Sequence, residues 1–260
     1  MGLVGGGAVA AQIASELLAD GTGLRLAGAL LRSDPRGLPS GVARAVNVEE
    51  LLATGPDVVV EAASQAAVRE VGPAVVAAGV DLVVVSTGAL LDQELRTRLH
   101  AEGRRSGARV VLATGAVGGI DALRGARVGG LDRVEVEQRK PARVLLGADQ
   151  ARRLDGPVCV LDGTVLEAAR AYPATTNILA TIALAGLGPE RTRVRLIADP
   201  AATANHARLR AAGAFGSLDV VVENRPSANP RSSVLTGLSV VSTLRERYLG
   251  GGLSWPGWPS

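Results

Sequence analysis

Short apolar runs alternate with stretches of helical periodicity along the first 112 residues. Asp57–Glu61 and Val80–Ser86 are almost continuously apolar, which is typical of parallel strands buried on both faces. Ala66–Ala78 carries apolar positions at helical spacing between them. This alternation predicts an α/β fold with a doubly wound parallel sheet. The same pattern predicts a strand from Met1, further strands over Leu24–Leu31 and Ala108–Leu112, and helices over 8–19, Glu49–Ala53 and Leu91–Arg104.

The pattern changes after residue 112, where strand-like alternation dominates. It predicts a second, α+β domain on a mostly antiparallel sheet, with a last helix that returns to the first domain. The predicted elements are strands over Leu131–Gln138, Val158–Leu161, Arg193–Ala198 and Leu218–Glu223, and helices near Ile178–Leu187 and Ser232–Tyr248. We therefore expect a first domain over residues 1–113 completed by helix 231–249, a second over 114–230, and a tail over 250–260. The tail holds Trp255 and Trp258 and is either disordered or an arm at a subunit contact.

The first strand runs directly into Gly5-x-Gly7-x-x-Ala10 and then into a helix. Gly5 permits a tight turn, Gly7 leaves room for a pyrophosphate, and Ala10 lets the helix lie close to the strand. The backbone N–H groups of Ala8 and Val9 then face the phosphates at the helix N-terminus. The first domain is therefore predicted to be a Rossmann domain that binds NAD or NADP.

Ligands of such sheets lie beyond the carboxyl ends of the strands. We therefore expect Ala63, Ser64, Ser86 and Thr87 to line the cofactor site. The second strand ends in Leu31-Arg32-Ser33-Asp34. An acid at this point binds the ribose of NAD, whereas an arginine accommodates the phosphate of NADP. Because Asp34 comes one or two residues late, Arg32 and Ser33 favour NADP.

Composition narrows the chemistry. The formal charge of +3 comes from scattered arginines, and aromatic residues make up only 2% of the chain, which argues against a nucleic-acid partner. Cys159 is the only cysteine, and His100 and His206 are the only histidines, so neither a disulfide framework nor a bound metal is expected. No apolar run approaches the roughly 18 residues of a membrane span, and no signal peptide precedes the strand at Met1. We expect a soluble, cytoplasmic protein whose single lysine, Lys140, is of interest.

Five ordered motifs resemble those of the L-aspartate dehydrogenase family. They are Thr114–Leu123, Lys140-Pro141, Tyr172-Pro173 with Asn177–Thr181, Ala198–Pro200 with Gly213–Gly216, and Asn224–Ser233. The resemblance spans essentially the whole chain. It implies a two-domain homodimer that oxidises L-aspartate with NAD or NADP to iminoaspartate, which hydrolyses to oxaloacetate and ammonia, or that runs in reverse. It also implies that Ala116 and Asn177 contact the nicotinamide end of the cofactor.

One position departs from the family pattern. The family carries Asn-x-His-Glu-Ile before Gly-x-Phe-Gly, and its histidine acts in proton transfer. When Asn205 is matched to the asparagine of this motif and Gly213 to its first glycine, the position of the family histidine is taken by Ala207. His206 occupies the position just before it. A one-residue offset in a strand points a side chain to the opposite face. Either a local bulge brings His206 into the site, or the family histidine is absent here.

Amine oxidation needs a group that accepts a proton from nitrogen, and imine hydrolysis needs a group that activates water. Histidine suits both tasks, and a buried lysine with a lowered pKa is the other candidate. We therefore name His206 and Lys140 as candidate catalytic residues. A substrate carboxylate favours arginine or a helix N-terminus, so Arg231 and Ser232 are candidate substrate ligands, with Arg139 as a further possibility.

Three functions remain open at this point. The first is an aspartate dehydrogenase, the second a relative that reduces a different imine or keto acid, and the third an inactive NADP-binding paralogue. The offset at His206 is the feature that separates them.

Overall fold

The computed structural model describes residues 1–19, 23–32, 41–229 and 232–248. Ser33, Arg231 and the tail with Trp255 and Trp258, all named above, lie outside the described residues. The chain divides into two compact units. Unit 1 consists of Met1–Val85, Leu99–Ala113 and the chain from Thr236, and unit 2 of Ser86–Arg98 and Thr114–Leu235. Residues 86–98 thus group with unit 2, although the sequence division at residue 113 places them in the first domain.

Within the described residues, unit 1 holds a sheet of six parallel strands in the order β3-β2-β1-β4-β5-β6. This confirms the predicted doubly wound parallel sheet. The elements up to residue 112 are β1 (Gly2–Val4), α1 (Ala8–Ala19), β2 (Gly28–Leu30), β3 (Ala43–Ala45), α2 (Val48–Ala53), β4 (Val58–Glu61), α3 (Gln65–Ala77), β5 (Asp81–Val84), α4 (Gln93–Ser106) and β6 (Val110–Leu112), with a 3-10 segment at Thr87–Leu91. The strand β3 was not predicted, because Ala-Arg-Ala has no apolar run.

The last helix, α10 (Val234–Tyr248), packs its apolar face into the core of unit 1. Val240, Val241 and Leu244 are almost fully buried and share a cluster with Leu3 and Ile13. A polar contact adds to this packing. The hydroxyl of Tyr248 donates to Asp81 Oδ2 at 2.7 Å, and the guanidinium of Arg109 donates to the same oxygen at 2.8 Å.

The carboxyl group of Asp81 is stabilised as the anion. Burial opposes its ionisation, but the backbone N–H of Arg109, the Tyr248 hydroxyl and the Arg109 side chain together lower the pKa of Asp81. Burial and the hydrogen bond to Asp81 raise the pKa of Tyr248, so its hydroxyl keeps its proton. The contact therefore ties the end of α10 to the start of β5.

Unit 2 is built on a second sheet, which has five strands in the described part of the chain, in the order β11-β10-β7-β9-β8. Only β7 and β9 pair in parallel, which confirms the predicted mostly antiparallel sheet. The elements are α5 (Ile120–Gly129), β7 (Leu131–Pro141), α6 (Ala142–Leu146), α7 (Ala148–Ala151), β8 (Val158–Thr164), α8 (Val165–Ala171), α9 (Asn177–Ala185), β9 (Arg193–Asp199), β10 (His206–Gly213) and β11 (Gly216–Glu223), with a 3-10 segment at Pro173–Thr175.

The two faces of this second sheet differ in chemistry. One face packs against α5 and α9 around Leu123, Leu179 and Ile182, and it contributes Val136 and Leu196 to the core. The other face carries ion pairs, such as Arg195 with Glu137 at 3.2 Å, Arg193 with Asp162 at 3.0 Å, and Arg208 with Asp219 at 2.5 Å. A side chain on one face therefore lies in an apolar core, and a side chain on the other lies among charged groups.

No helix in the described residues is long and apolar enough to cross a membrane. The same residues contain no group of three or more His, Cys, Asp or Glu side chains that could hold a metal ion.

Candidate active site

The glycine-rich loop between β1 and α1 is shaped by two glycines with different roles. Gly5 has a φ of +113°, and a Cβ there would lie 2.8 Å from the carbonyl oxygen of Ala62. The fold itself therefore requires glycine at this position. A Cβ added to Gly7 would meet nothing within 4 Å. The loop thus has open space at Gly7, directly before the first residue of α1 at Ala8, and this fits the pyrophosphate of a dinucleotide.

The turn after β4 is held by a buried carboxylate that the sequence analysis missed. Glu61 is 0% exposed, and its Oε1 accepts hydrogen bonds from the backbone N–H groups of Ala63 and Ser64, each at 2.8 Å. The Ser64 hydroxyl accepts from the N–H of Ala67 at 3.1 Å and caps α3. Ala63 and Ser64 are therefore fixed in place by protein contacts. The acid that ends the apolar run Val-Val-Val-Glu is the signal that could have revealed Glu61.

Arg32 lies just after β2, as the sequence suggested. Its guanidinium pairs with the carboxylate of Glu70 on α3 at 2.6 Å, and both side chains are largely exposed, at 76% and 63%. A phosphate bound by Arg32 would thus meet Glu70 as a neighbour. Ser33, the other predicted phosphate ligand, lies outside the described residues.

Within unit 2, hydrogen bonds bring Thr87 and Asn177 together. The Thr87 hydroxyl donates to the backbone oxygen of Asn177 at 2.7 Å, and Asn177 Oδ1 accepts from the N–H of Gly88 at 3.1 Å. Thr87 also bonds the hydroxyl of Thr181 at 2.9 Å, and Ser86 is buried at the start of the same segment. The N-terminus of α9 is therefore fixed to the 3-10 segment that begins at Thr87.

The second glycine-rich turn, which holds Ala116, is fixed by Asn224. Asn224 Nδ2 donates to the carbonyl oxygen of Ala116 at 3.0 Å, while the buried Oδ1 of Asn224 has no hydrogen-bond partner in the structure. Gly119 follows with a φ of +74°, and a Cβ there would lie 2.9 Å from Val220. The turn thus packs directly on β11.

Lys140 lies near the end of β7, on the face that packs against the helices. Only 6% of the residue is exposed, and this burial lowers the pKa of Lys140 to about 8. The side chain of Lys140 forms no hydrogen bond or ion pair within the described residues. An amine that is partly neutral near physiological pH can accept or donate a proton.

Gln138 lies on the same face of β7, two residues before Lys140, and sequence reasoning missed it. It is 0% exposed, and neither Nε2 nor Oε1 has a hydrogen-bond partner in the structure. A buried polar residue in a strand of otherwise alternating pattern was the available signal.

His206 is the first residue of β10, and its position answers the question raised by the sequence. It pairs with Arg139 on β7, whereas the next residue, Ala207, pairs with Gln138 and is buried with the core. The register of β10 is irregular only near Ala212 and Gly213, so no bulge carries His206 across. His206 therefore lies on the opposite sheet face from Lys140. Its buried Nδ1 has no hydrogen-bond partner.

The remaining predicted ligands of a substrate carboxylate are Arg139, Arg231 and Ser232. Arg139 shares the face of His206 and donates to Asp199 Oδ2 at 3.2 Å. The Ser232 hydroxyl bonds the hydroxyl of Ser227 at 2.5 Å and the carbonyl oxygen of Asn229 at 3.2 Å. Arg231 lies outside the described residues. The roles of Arg231 and Ser232 in substrate binding stay predictions.

A parallel doubly wound sheet with an open glycine loop, followed by an α+β unit that holds a buried lysine, fits an NAD(P)-dependent dehydrogenase built of two units. Two family models match the chain in this order. Residues 5–113 match the NAD binding domain of homoserine dehydrogenase, and residues 121–247 match the C-terminal domain of aspartate dehydrogenase. The chain belongs to the L-aspartate dehydrogenase family.

Individual relatives agree with this assignment. The chain is 39% identical over 254 residues to an L-aspartate dehydrogenase of Pseudomonas aeruginosa, which covers 93% of this chain and 95% of that protein. It is 44% identical over 198 residues to an L-aspartate dehydrogenase of Ralstonia nicotianae, with 74% of each chain covered. The crystal structure of aspartate dehydrogenase from Thermotoga maritima matches with a TM-score of 0.75 and 29% identity, over 95% of this chain and 96% of that one.

Proposed function

We propose that this enzyme oxidises the CH–NH2 group of an amino acid, with L-aspartate as the first substrate to test. The product is iminoaspartate, which hydrolyses to oxaloacetate and ammonia, and the reverse reaction is equally open. The observation that carries the proposal is the similarity to L-aspartate dehydrogenases over nearly the whole chain, including the segment that holds Lys140.

Lys140 is the residue to which we assign proton transfer. When bound, NAD(P)+ supplies the acceptor for the hydride that leaves Cα. The neutral amine of Lys140 takes the proton that leaves the substrate nitrogen, and the resulting ammonium returns a proton during hydrolysis. A pKa of about 8 lets both forms be populated near neutral pH. His206 stays a second candidate, because its buried Nδ1 has no hydrogen-bond partner in the structure.

The cofactor site belongs to the same proposal. The pyrophosphate is bound by the first glycine-rich loop and helix start, at Gly5, Gly7, Ala8 and Val9. The neighbouring turn is formed by Ala63 and Ser64. The 2′-phosphate of NADP is bound by Arg32. The residues of unit 2 assigned to binding the nicotinamide end of the cofactor are Ser86, Thr87, Ala116 and Asn177. NADP is the favoured cofactor and NAD the alternative.

A different imine or keto acid, with the amino acid formed from it, is the second candidate substrate pair. Ala207 and Arg208 occupy the columns where the family has its histidine and the following acid. Ala207 shares the sheet face of Lys140, so a methyl group stands there in place of the family imidazole, whereas Arg208 pairs with Asp219 on the opposite face. The smaller group on the Lys140 face supports an altered specificity. We further propose that the enzyme works in the cytoplasm as a homodimer, without a nucleic-acid or membrane partner. Size-exclusion chromatography with light scattering tests the dimer.

The test of function follows the nicotinamide absorbance band with L-aspartate and either NAD or NADP, then with a panel of amino acids, and with keto acids plus ammonia. Turnover with L-aspartate as the best substrate supports the first proposal, and a better rate with another amino acid supports the second. Measurable cofactor binding without turnover of any substrate would refute both.

A further inference from the structure

Gln138 combines complete burial with two polar atoms that have no partner. Buried side-chain amides are almost always hydrogen-bonded, because an unmade bond leaves the full desolvation penalty in place. Gln138 is 0% exposed, and both Nε2 and Oε1 lack partners in the structure. Such a residue calls for a partner that a different rotamer of a neighbouring side chain can provide.

Among the strand residues that directly flank Gln138 on its own sheet face, Lys140 carries the polar side chain. Ala207 faces it from β10 and Leu196 from β9, and Val136 precedes it on β7. These three side chains cannot form hydrogen bonds. Lys140 follows two residues later, at a spacing of about 6.6 Å along the strand. No hydrogen bond joins the two side chains in the structure, so a change of rotamer is needed to bring the amide and the amine together.

We infer that Gln138 is a positioning residue that holds the amine of Lys140 by a hydrogen bond in both protonation states. The amide carbonyl accepts from the ammonium form, and the amide NH2 donates to the lone pair of the neutral form. A proton-transfer residue alternates between the ammonium and the neutral amine. The amide can stay hydrogen-bonded to it in both forms.

No charged side chain of β9, β10, α6 or α9 faces the Lys140 amine in place of the Gln138 amide. On its sheet face, β10 contributes Ala207 and Leu209, β9 contributes Leu196 and Ala198, and α9 carries no titratable residue. Arg143 on α6 is exposed. Asp199, Arg139 and His206 belong to the opposite face, where Asp199 pairs with Arg139. The lowering of the Lys140 pKa accordingly has desolvation as its cause and no charged partner.

The experiment uses the fact that Lys140 is the only lysine of the chain. Full-length protein labelled with 13C-lysine gives a single side-chain Cε signal in NMR, whose shift against pH reports the pKa of Lys140 directly. The wild-type signal is expected to titrate near pH 8. Gln138→Leu removes the acceptor for the ammonium and should lower the midpoint by about half to one unit. Gln138→Glu adds a carboxylate and should raise it by about one unit or more.

The opposite signs of these two shifts distinguish a partner of Lys140 from a residue that merely fills space. Gln150→Leu, the same change at an exposed amide on α7, is the control and should leave the midpoint unchanged. Midpoints that stay at the wild-type value in both Gln138 variants would overturn the inference, as would shifts of the same sign. If one variant fails to fold, the sign of the other still decides.

The use of this pair in catalysis rests on the proposed function, but the titration does not. In the active enzyme, the pH midpoint of the kcat profile should move in the same directions as the NMR midpoint. A wild-type protein without turnover would refute the proposed function and leave the NMR result to decide the role of Gln138.

Discussion

Glu61 in unit 1 and Gln138 in unit 2 are both fully buried polar residues of a strand, but only Glu61 has hydrogen-bond partners in the structure. In unit 1, the buried carboxylate of Glu61 accepts two backbone N–H groups, and Ser64 caps the helix that follows. In unit 2, the amide of Gln138 and the Oδ1 of Asn224 are buried without hydrogen-bond partners in the described residues. Lys140, on the same strand as Gln138, is 6% exposed.

The difference separates a preformed binding scaffold from a reactive site. Satisfied polar groups stabilise the turn that we propose contacts the cofactor, so this region can be rigid before binding. Unsatisfied groups cost stability in the free protein, and proteins retain such groups where function needs them. The comparison therefore predicts that substitutions in unit 1 disturb folding and binding together, whereas substitutions in unit 2 exchange activity for stability.

Lys140→Met should show this exchange most strongly. Loss of the proton-transfer group should lower kcat by about 10²- to 10⁴-fold. The same variant should be more stable than wild type at pH 7, by up to about 3 kcal/mol, because folding lowers the lysine pKa from 10.5 to about 8.

The sign of the stability gain follows from that lowered pKa. Below pH 8 the lysine is charged in both states and the folded protein bears the full desolvation cost, whereas above about pH 10.5 it is neutral in both states. Urea denaturation of both proteins at several pH values should thus show a gain that disappears as the pH rises from 8 to 10.5. A gain independent of pH would mean that packing, not charge, is responsible.

The two glycines of the first loop should respond differently to alanine. Gly5→Ala forces a side chain into a positive φ and against Ala62, and it should cost about 1–3 kcal/mol of folding stability. Gly7→Ala should leave stability unchanged but weaken dinucleotide binding at least about tenfold, since its methyl group occupies the open space. Thermal denaturation and calorimetric titration measure the two effects. Gly125→Ala, on the exposed side of α5, is the matched control and should not affect binding. Equal stability of the Gly5 and Gly7 variants would contradict the assigned roles.

Arg32→Ala should weaken NADP binding about tenfold and spare NAD, because a charge-assisted contact to the phosphate is lost. Glu70→Gln should strengthen NADP binding and leave NAD binding unchanged, because it removes the competing carboxylate, which lies 2.6 Å from the guanidinium. Dissociation constants of both cofactors, measured for both variants, check this pair. A parallel loss of NAD and NADP affinity in Arg32→Ala would refute a phosphate role.

Tyr248→Phe should have the smallest effect, a loss of about 1 kcal/mol of unfolding free energy, since it removes one hydrogen bond to a buried carboxylate. Folding lowers the pKa of Asp81, so its stabilising contribution is present above the unfolded pKa and is lost as the pH falls through the folded one. The difference between variant and wild type in denaturant titrations should therefore shrink in acid. A difference that persists at low pH would separate Tyr248 from Asp81.

Much of the fold could be predicted from the sequence because many of its helices and strands follow strong local patterns. The apolar runs of β4 and β5 and the glycines at 5 and 7 have one simple structural meaning each. By contrast, β3 and β10 are rich in alanine and arginine, whose weak strand preference gives no local signal. Tertiary pairing determines these strands, and pairing is not visible in a local pattern.

The candidate site was less predictable for the same reason. The lone lysine stood out by composition, but the partners of a side chain depend on strand register. Gln138 became visible only when β10 placed Ala207 opposite it, and His206 could be assigned to a face only after the absence of a bulge was known. Glu61 was read as the end of a strand, because its two backbone partners lie in the turn that follows.

The most direct test of the account is the rate of hydride transfer from L-aspartate in a His206→Ala variant compared with Lys140→Met. Because the reaction is assigned to the sheet face of Lys140, His206→Ala should retain the wild-type rate within about twofold, while Lys140→Met loses about a hundredfold or more. A large loss in His206→Ala, with the activity of Lys140→Met intact, would place proton transfer on the opposite face and contradict the account.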